Sequence, residues 1–286
     1  MSGQYWKQVH ARGLAVPEDR PLEDLTAELT RMLGDPDPEL RDGTALPALA
    51  TWIGRGVYDD LLVGLGDGMA AGLKAGLGEV GTDSVLRRSC SARVLAECLE
   101  RDNQQALVPA GKVLDWGDRV ATWLLREQDI RGFVPGKGWA HAVASGADAL
   151  AALARSPHLG PPELTVVLDV VADRVLLPVD QLFVNGEPDR LAATTMAVLR
   201  RELVPLQVLE PWVARLAAAA AVRSTYDGRD PHLAGGNAEA FLRALHLQLA
   251  LGPRPPRVRS DLLLVVVDAL RHTNPELRST GASTSV

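Results

Sequence analysis

Apolar residues recur at spacings of three and four along almost the whole chain. A clear example is Leu22, Leu25, Leu29 and Leu33, and comparable runs follow as far as residue 272. Such spacing places apolar side chains on one face of a helix, whereas the strict alternation that is typical of a half-buried strand is nearly absent. The sequence therefore predicts an all-α protein.

Proline and glycine lie between the periodic stretches and mark the ends of helices. Proline is tolerated in the first turn of a helix but not in its interior, and glycine commonly follows the last turn. This punctuation predicts helices at residues 4–12, 22–33, 38–54, 57–75, 83–101, 110–127, 137–155, 162–175, 188–203, 207–223, 234–250 and 258–272.

Helices joined by short turns suit stacked antiparallel pairs, in which each pair buries its apolar face against the next. Residues 33–46 resemble the turn and second-helix start of HEAT repeats, where Asp37 can cap the helix and Pro38 takes the first helical position. An ordinary capped helix would give the same local pattern. We predict a single α-helical repeat domain at 1–272, HEAT-like or another α/α superhelix, and a flexible tail at 273–286.

Glycines are dense between residues 64 and 78. Gly64, Gly68, Gly72 and Gly76 are four residues apart, so that on a helix they would lie on the same side. No Gly-Lys-Ser/Thr motif follows, which argues against a phosphate-binding loop. The spacing predicts a smooth helix face against which a neighbouring helix packs closely.

The charge and the apolar runs limit the classes of partner. The net charge of the 286 residues is −6, which does not favour nucleic acid, because binding to phosphates needs clustered basic side chains. The most apolar runs, residues 216–222 and 262–267, are far shorter than the roughly 20 residues of a membrane-spanning helix. The first residues do not resemble a secretory signal. We expect a cytoplasmic protein that does not cross a membrane.

The two cysteines agree with a reducing compartment. Cys90 and Cys98 fall in one predicted helix, where eight residues separate their Cα atoms by ~12 Å. A disulfide needs Cα atoms within about 7 Å. The cysteines are therefore predicted to be buried free thiols.

The densest group of unusual polar and aromatic residues lies between residues 127 and 148. On the predicted helix 137–155, His141, Ser145 and Asp148 would form a polar stripe, while Trp139 would point almost the opposite way. His141 with Asp148 could act in acid/base catalysis, and Arg131 could hold an anionic group. The full set of candidate site residues is Glu127, Asp129, Arg131, Trp139, His141, Ser145 and Asp148.

Two interpretations of this group stay open. It could be an active or ligand site, or a structural network in which Glu127, Asp129, Arg131, His141 and Asp148 satisfy one another's charges and tie helices together. His141 and Ser145 are one turn apart, but serine is a poor ligand for zinc or iron. No metal and no cofactor is expected.

Several short motifs spread over most of the chain resemble a bacterial family that is catalogued only as a domain of unknown function. The resemblance implies a helical protein of unassigned activity. The family commonly has a second histidine at the position of Ser145, and this departure removes the one chelating spacing. The motifs are Tyr5-Trp6-Lys7, Leu40-Arg41-Asp42-Gly43, Arg87-Arg88-Ser89, Glu127-x-Asp129-x-Arg131-Gly132, Gly138-Trp139-Ala140-His141-Ala142-Val143-Ala144, Asp189-Arg190-Leu191-Ala192 and the run from Phe241 to Leu249.

The favoured function is a non-enzymatic helical-repeat binding or scaffolding protein that holds a protein or peptide partner on the concave face of its superhelix. The alternative is an enzyme or small-molecule binder that uses Asp129, Arg131, His141 and Asp148, so the sequence leaves enzymatic activity, the ligand and the oligomeric state open. Residues 1–150 hold 22 acidic and 16 basic side chains, whereas the remaining residues hold 14 of each. This acidic half favours a cationic or neutral partner.

Overall fold

The computed structural model describes residues 2–222 and 230–278, and contacts within the chain group into two compact units. The first unit ends at His158 and the second begins at Leu159. Apart from one hairpin with strands of two residues each, the regular structure of the described residues is helical. The predicted all-α class is confirmed. The HEAT-like arrangement and the single repeat domain at 1–272 stay predictions.

The α-helices and strands described for the first unit are α1 (Ser2–Ala11), α2 (Leu22–Met32), α3 (Pro38–Leu40), α4 (Leu46–Gly54), α5 (Leu62–Gly72), α6 (Ser84–Gln105), α7 (Ala110–Arg126), β1 (Phe133–Val134), β2 (Gly138–Trp139) and α8 (Ala142–Arg155). A π turn at Arg41–Ala45 joins α3 to α4, so that 38–54 is one continuous helical segment, as predicted. Asp37 caps this segment by accepting from the backbone N–H of Glu39, as its position before Pro38 predicts.

Helix α6 lies at the centre of the first unit and packs against α4, α5 and α8. The buried indoles of the first unit are apolar except for one N–H each, and an N–H buried without an acceptor would cost free energy. Each has an acceptor: Trp6 donates to Glu28, Trp52 to the carbonyl of Leu14, Trp116 to Asp67 and Trp123 to Glu127. Cys90 and Cys98 lie in α6 as buried free thiols, as predicted, and burial raises the pKa of Cys90 to about 12.

The glycine prediction for α5 is wrong for Gly64 and Gly68 but correct for Gly72. Gly64 and Gly68 are exposed, and a Cβ atom at either would meet open space. The close approaches are at Gly66, which lies against the Trp116 ring of α7, and at Gly72, which lies against Ser91 of α6. The period of four thus included two exposed glycines and omitted Gly66, because spacing alone does not determine which glycines meet a neighbouring helix.

The second unit consists of α9 (Pro161–Leu176), α10 (Glu187–Leu199), α11 (Leu206–Ala220), α12 (Pro231–Leu251) and α13 (Arg259–Thr273). Helix α12 packs against the other four, and its Phe241 meets Trp212 edge to face with ring centroids 5.8 Å apart. A 3₁₀ turn at Pro275–Arg278 follows α13, and residues 279–286 of the predicted tail lie outside the described residues. No helix among the described residues is both long and apolar enough to cross a membrane.

Candidate functional site

The predicted helix 137–155 begins only at Ala142, and the residues before it form a β-hairpin. Phe133 pairs with Trp139 and Val134 with Gly138 across a tight loop in which Gly136 has a φ of +76°. Beyond the strands, Ala140 donates to the carbonyl of Gly132, and His141 donates to the carbonyl of Arg131. A glycine in the left-handed conformation suits a three-residue hairpin loop such as residues 135–137. Residues 131–141 therefore form a hairpin and not the start of the helix.

The hairpin presents three rings at its surface, which we call the aromatic cluster: Phe133, Trp139 and His141. Phe133 is 56% exposed and Trp139 is 46% exposed. Their ring centroids are 5.3 Å apart in an edge-to-face arrangement, and the His141 ring stacks on Trp139 at 4.4 Å. These are favourable aromatic geometries, so the rings support one another while remaining open to solvent.

The predicted polar stripe on one helix face is wrong at its first member. His141 lies before the first turn of α8 in a left-handed conformation with φ +50°, where its carbonyl accepts from the N–H of Ser145. Trp139 and His141 therefore stack against each other instead of pointing in opposite directions. Ser145 is buried and shares a 2.8 Å hydrogen bond with Ser89 of α6, while Asp148 is half-buried further along α8.

Asp129 and Arg131 are paired with each other. The Arg131 Nε and Nη2 atoms donate to the Asp129 carboxylate at 2.7–3.1 Å, and Asp129 also accepts from the N–H of Gly81 at 2.9 Å. Arg131 Nη2 reaches the carbonyl of Thr82 at 2.7 Å. Burial alone would raise the pKa of Asp129, but the hydrogen bonds from Arg131 and Gly81 outweigh it and hold this pKa below its ordinary value. The pair joins the hairpin to the 81–82 turn.

We expect Asp129→Asn to lower the free energy of unfolding at pH 7 by about 1–3 kcal/mol, because a buried carboxylate that accepts charge-assisted hydrogen bonds is lost. A lowered folded-state pKa gives stability that is present above the unfolded value near 4 and is lost as pH falls through the folded value. Urea unfolding between pH 2 and pH 7 should therefore show the wild type and variant converging in acid. A difference that stays constant over this range would contradict the assignment, with exposed Asp118→Asn as the control.

Glu127 lies directly after α7 and is buried against Arg88 of α6. Arg88 Nε and Nη2 donate to the two carboxylate oxygens of Glu127 at 2.5 and 2.9 Å. Trp123 Nε1 and the N–H of Asp129 also donate to Glu127 at 2.9 and 3.0 Å. The remaining donors of Arg88 reach the carbonyls of Ala75 and Gly76 and the hydroxyl of Ser84 at 2.8–2.9 Å. This pair joins α7 to α6, although the second interpretation of the sequence did not include Arg88 in its network.

Arg41 and Asp83, which the sequence did not mark as site residues, hold the hairpin from outside. Arg41, fully buried in the π turn, donates through Nη2 to the carbonyl of Lys137 at 2.5 Å and through Nη1 to the carbonyl of Asp35. Lys137 Nζ in turn pairs with Asp83 at 2.5 Å. Gly138, with φ +79°, lets the strand approach, since a Cβ there would lie 3.1 Å from Arg41 Nη2. The Pro-Gly-Lys-Gly sequence of residues 135–138 was the local signal for this turn.

A family model described as "Protein of unknown function (DUF2785)" matches residues 73–247, which is more than half of the chain. The chain belongs to this family. Comparison with curated proteins gives no match, and comparison with solved structures gives none. The predicted membership of a family of unknown function is confirmed, whereas the bacterial origin and the individual motifs stay predictions.

The DUF2785 region contains all seven candidate site residues together with Arg88, Asp83 and the 81–82 turn, whereas Arg41 precedes it. Within this region the structure brings Trp139 to His141 and Asp129 to Arg131, and it places Glu127 against Arg88. Among the residues that the structure describes, no three His, Cys, Asp or Glu side chains are grouped so that they could hold a metal ion. The most exposed side chains of the site are Phe133 and Trp139, whereas Asp129 and Arg131 hold the hairpin at the 81–82 turn.

Proposed function

We propose that this member of the DUF2785 family is a peptide-binding module whose contact surface is the aromatic cluster of Phe133, Trp139 and His141. The observation that carries the proposal is the exposure of two large aromatic rings on a short hairpin. Aromatic side chains are enriched where proteins bind one another, and the residues that contribute most to affinity are often Trp and Tyr. This surface differs from the concave helix face that the sequence favoured.

Rigidity of the hairpin supports the proposal. Arg41 donates to the backbone carbonyl of Lys137, and the side chain of Lys137 forms an ion pair with Asp83. Asp129 and Arg131, which lie just before the first strand, bond to the backbone of the 81–82 turn. A surface that is already ordered loses little conformational entropy on binding, so more of the contact energy is available as affinity. The polar residues of the site thus serve as positioning residues for the aromatic ones.

The exposed ring faces of the cluster favour a neutral or basic peptide. Asp42 lies beside the second strand, since its Oδ2 would be 3.4 Å from a Cβ at position 138, and it is only partly covered. Asp83 borders the loop at Lys137. Both carboxylates are already paired, Asp42 with Arg41 and Asp83 with Lys137, so the preference for a Lys or Arg side chain comes from the faces of Trp139 and Phe133, with which cations interact favourably.

The enzyme or small-molecule alternative is less well supported. It needs Arg131 to bind an anion, yet Arg131 bonds to Asp129 and to the carbonyl of Thr82, and an anion would have to break these bonds first. It also needs His141 and Asp148 to act together in acid/base catalysis, yet His141 lies before the first turn of α8 and stacks on Trp139, while Asp148 lies further along α8. We therefore favour binding over catalysis.

We expect Trp139→Ala to weaken peptide binding at least about tenfold, because a central aromatic contact commonly contributes 2 kcal/mol or more. Peptides are first selected from a random phage-displayed library on the immobilised full-length protein, and their Kd values are then measured by fluorescence polarisation for wild type and variant. Phe133→Ala is expected to weaken the same peptides. Bound sequences should contain an aromatic residue or proline beside Lys or Arg.

The matched control is Leu114→Ala, which removes a partly exposed apolar side chain of α7 outside the hairpin. Circular dichroism should show that all three variants remain folded, since the replaced side chains are at the surface. If the selected peptides bind Trp139→Ala and Leu114→Ala as tightly as the wild type, or if selection yields no peptide at all, the aromatic cluster is not the binding surface.

A further inference from the structure

Helix α12 is followed by a surface loop at residues 252–257, which we call the proline-arginine loop. Its sequence, Gly-Pro-Arg-Pro-Pro-Arg, contains three prolines and two arginines and no acidic residue. Residues 253–255 are exposed. The Arg257 side chain is 88% exposed, although its Nε atom donates to Glu202 at 2.9 Å. The loop therefore presents proline rings and guanidinium groups to solvent.

The backbone around the proline-arginine loop is held by two arginines. Arg200 donates through Nε to the carbonyl of Arg254 at 3.1 Å and through Nη2 to the carbonyl of Pro253 at 2.9 Å. Arg259 donates to the carbonyls of residues 249 and 250, which lie in the last turn of α12, at 2.7 and 2.9 Å. The prolines restrict the backbone further, because each fixes its own φ. A loop that is already ordered loses little conformational entropy on binding.

Two exposed leucines extend this surface along α12. Leu251, directly before the loop, is 80% exposed, and Leu247, one turn earlier, is 52% exposed. Side chains four residues apart lie on the same face of a helix, so the two leucines form an apolar strip that leads into the loop. Exposed apolar side chains that adjoin one another, bordered by polar groups, commonly mark an interaction site.

The proline-arginine loop has the composition that the aromatic cluster favours. Guanidinium groups stack on aromatic faces, and proline-rich segments bind to surfaces that are lined by aromatic rings. In the cluster, His141 stacks on one face of Trp139 at 4.4 Å, which leaves the opposite face for a guanidinium. Phe133 beside it offers a second exposed ring, against which a proline can pack.

The net charges of the two regions are also complementary. Residues 1–150, which include the aromatic cluster, carry 22 acidic and 16 basic side chains, whereas residues 252–259 carry three arginines and no acidic side chain. Regions of opposite charge attract each other before they touch and so meet more often in a productive orientation. This attraction favours the encounter of the loop with the first unit of another copy.

We propose that the proline-arginine loop of one copy binds the aromatic cluster of a second copy, so that the chain associates with itself. This proposal rests on the proposed function of the cluster and names its partner. The guanidinium of Arg254 stacks on the open face of Trp139, while the neighbouring prolines and Leu251 contact the ring of Phe133. Because the two surfaces are different, the contact is heterologous, and a copy that lacks one surface keeps the other.

Sedimentation equilibrium of the full-length protein tests the proposal. We expect the average mass of the wild type to rise with protein concentration, and Trp139→Ala and Arg254→Glu each to weaken self-association at least about tenfold. Both side chains are exposed, so circular dichroism should show unchanged helix content. The matched control, Arg271→Glu, reverses an exposed charge of α13 and should leave self-association unchanged. A wild type that keeps the mass of one chain at every concentration contradicts the proposal, as does Arg254→Glu that associates as tightly as the wild type.

A mixture of the two variants gives a result that loss of folding cannot imitate. Trp139→Ala keeps its proline-arginine loop and Arg254→Glu keeps its aromatic cluster, so the mixture retains one complete contact. We expect fluorescently labelled Trp139→Ala to associate with unlabelled Arg254→Glu at a concentration at which neither variant associates with itself. If the wild type associates but the mixture does not, the loop and the cluster do not bind each other.

A synthetic peptide of residues 250–258 separates this proposal from the proposed function. We expect the peptide to bind the wild type in fluorescence polarisation and to bind Trp139→Ala at least about tenfold more weakly. If library-selected peptides bind at Trp139, but this peptide does not and the intact chain does not associate, self-association is wrong while the peptide-binding function stands. If neither kind of peptide binds, both proposals are wrong.

Discussion

Glu127→Gln is expected to lower the free energy of unfolding by about 3–5 kcal/mol, because it leaves a buried cation without its counter-charge. The substitution removes the negative charge but keeps the guanidinium of Arg88, which is fully buried. Glu127 also accepts hydrogen bonds from Trp123 and from the backbone N–H of Asp129. The amide of glutamine would weaken both bonds, and its NH₂ group would point at N–H donors that it cannot accept from. Urea unfolding followed by circular dichroism at pH 7 measures the loss.

The control for this prediction is a second Glu and Arg pair that also involves α6. Glu100 pairs with Arg155, but both side chains are about one-third to one-half exposed. Solvent screens such a pair, so Glu100→Gln should cost less than about 1 kcal/mol. Equal losses for Glu127→Gln and Glu100→Gln would show that burial of the Arg88 charge is not what makes Glu127 important.

Gly66→Ala is expected to destabilise the protein by about 3 kcal/mol, because its new methyl group has no room. A Cβ at this position would overlap the indole of Trp116, with only 2.8 Å to Cε2. The ring does not move aside easily, since Trp116 is fully buried and its Nε1 donates to Asp67 of α5 at 2.9 Å. The gain in helix propensity from Gly to Ala, at most about 1 kcal/mol, does not offset this overlap.

Two glycines of the same helix provide matched controls for Gly66→Ala. Gly64 and Gly68 face open space, so Gly64→Ala and Gly68→Ala gain helix propensity without any steric cost. We expect these two variants to raise Tm and Gly66→Ala to lower it, in thermal unfolding of the full-length protein. A change of the same sign at all three positions would rule out the packing of Gly66 against Trp116 as the cause.

Helices whose ends carry strong local signals are predicted most closely. The segment 38–54 begins after Asp37 and ends as predicted, and α7 begins one residue after Pro109. In these cases the capping residue and the fixed φ of proline act within a few residues of the helix start, so sequence alone contains the information. The β-branched segment at 162–175 is also a helix, as predicted.

The hairpin was missed because its strands are only two residues long. Alternation over two residues cannot be separated from helical spacing, and the alanine-rich run after His141 extended the apparent helix backward. The Pro135-Gly136 pair marked a turn correctly, but the sequence does not show that Arg41 meets the carbonyl of Lys137, because 96 residues separate them. Long-range contacts of this kind determine which face of the hairpin is exposed to solvent.

Among the candidate site residues, too, contacts between neighbours in the sequence could be predicted, whereas long-range contacts could not. Asp129 and Arg131 are two residues apart, and their pairing follows from local chemistry. Glu127 could be expected to find a cation, but nothing in the sequence identified Arg88 of α6, 39 residues earlier, as its partner. Ser145 likewise bonds to Ser89, 56 residues earlier. The sequence thus identified residues that matter to the site but could not assign which of them face solvent.

The π turn between α3 and α4 sets the rotational phase of α4 relative to Arg41. A π turn contains one residue more than an α turn, and each residue rotates a helix by roughly 100°. If one residue were deleted from this turn, the side chain of Arg41 and the core side chains of α4, such as Trp52, could not both point toward their present contacts. Arg41 would lose the carbonyl of Lys137, or Trp52 would leave the core. The fixed position of Trp139 at the surface therefore depends on one additional residue in a helix far earlier in the chain.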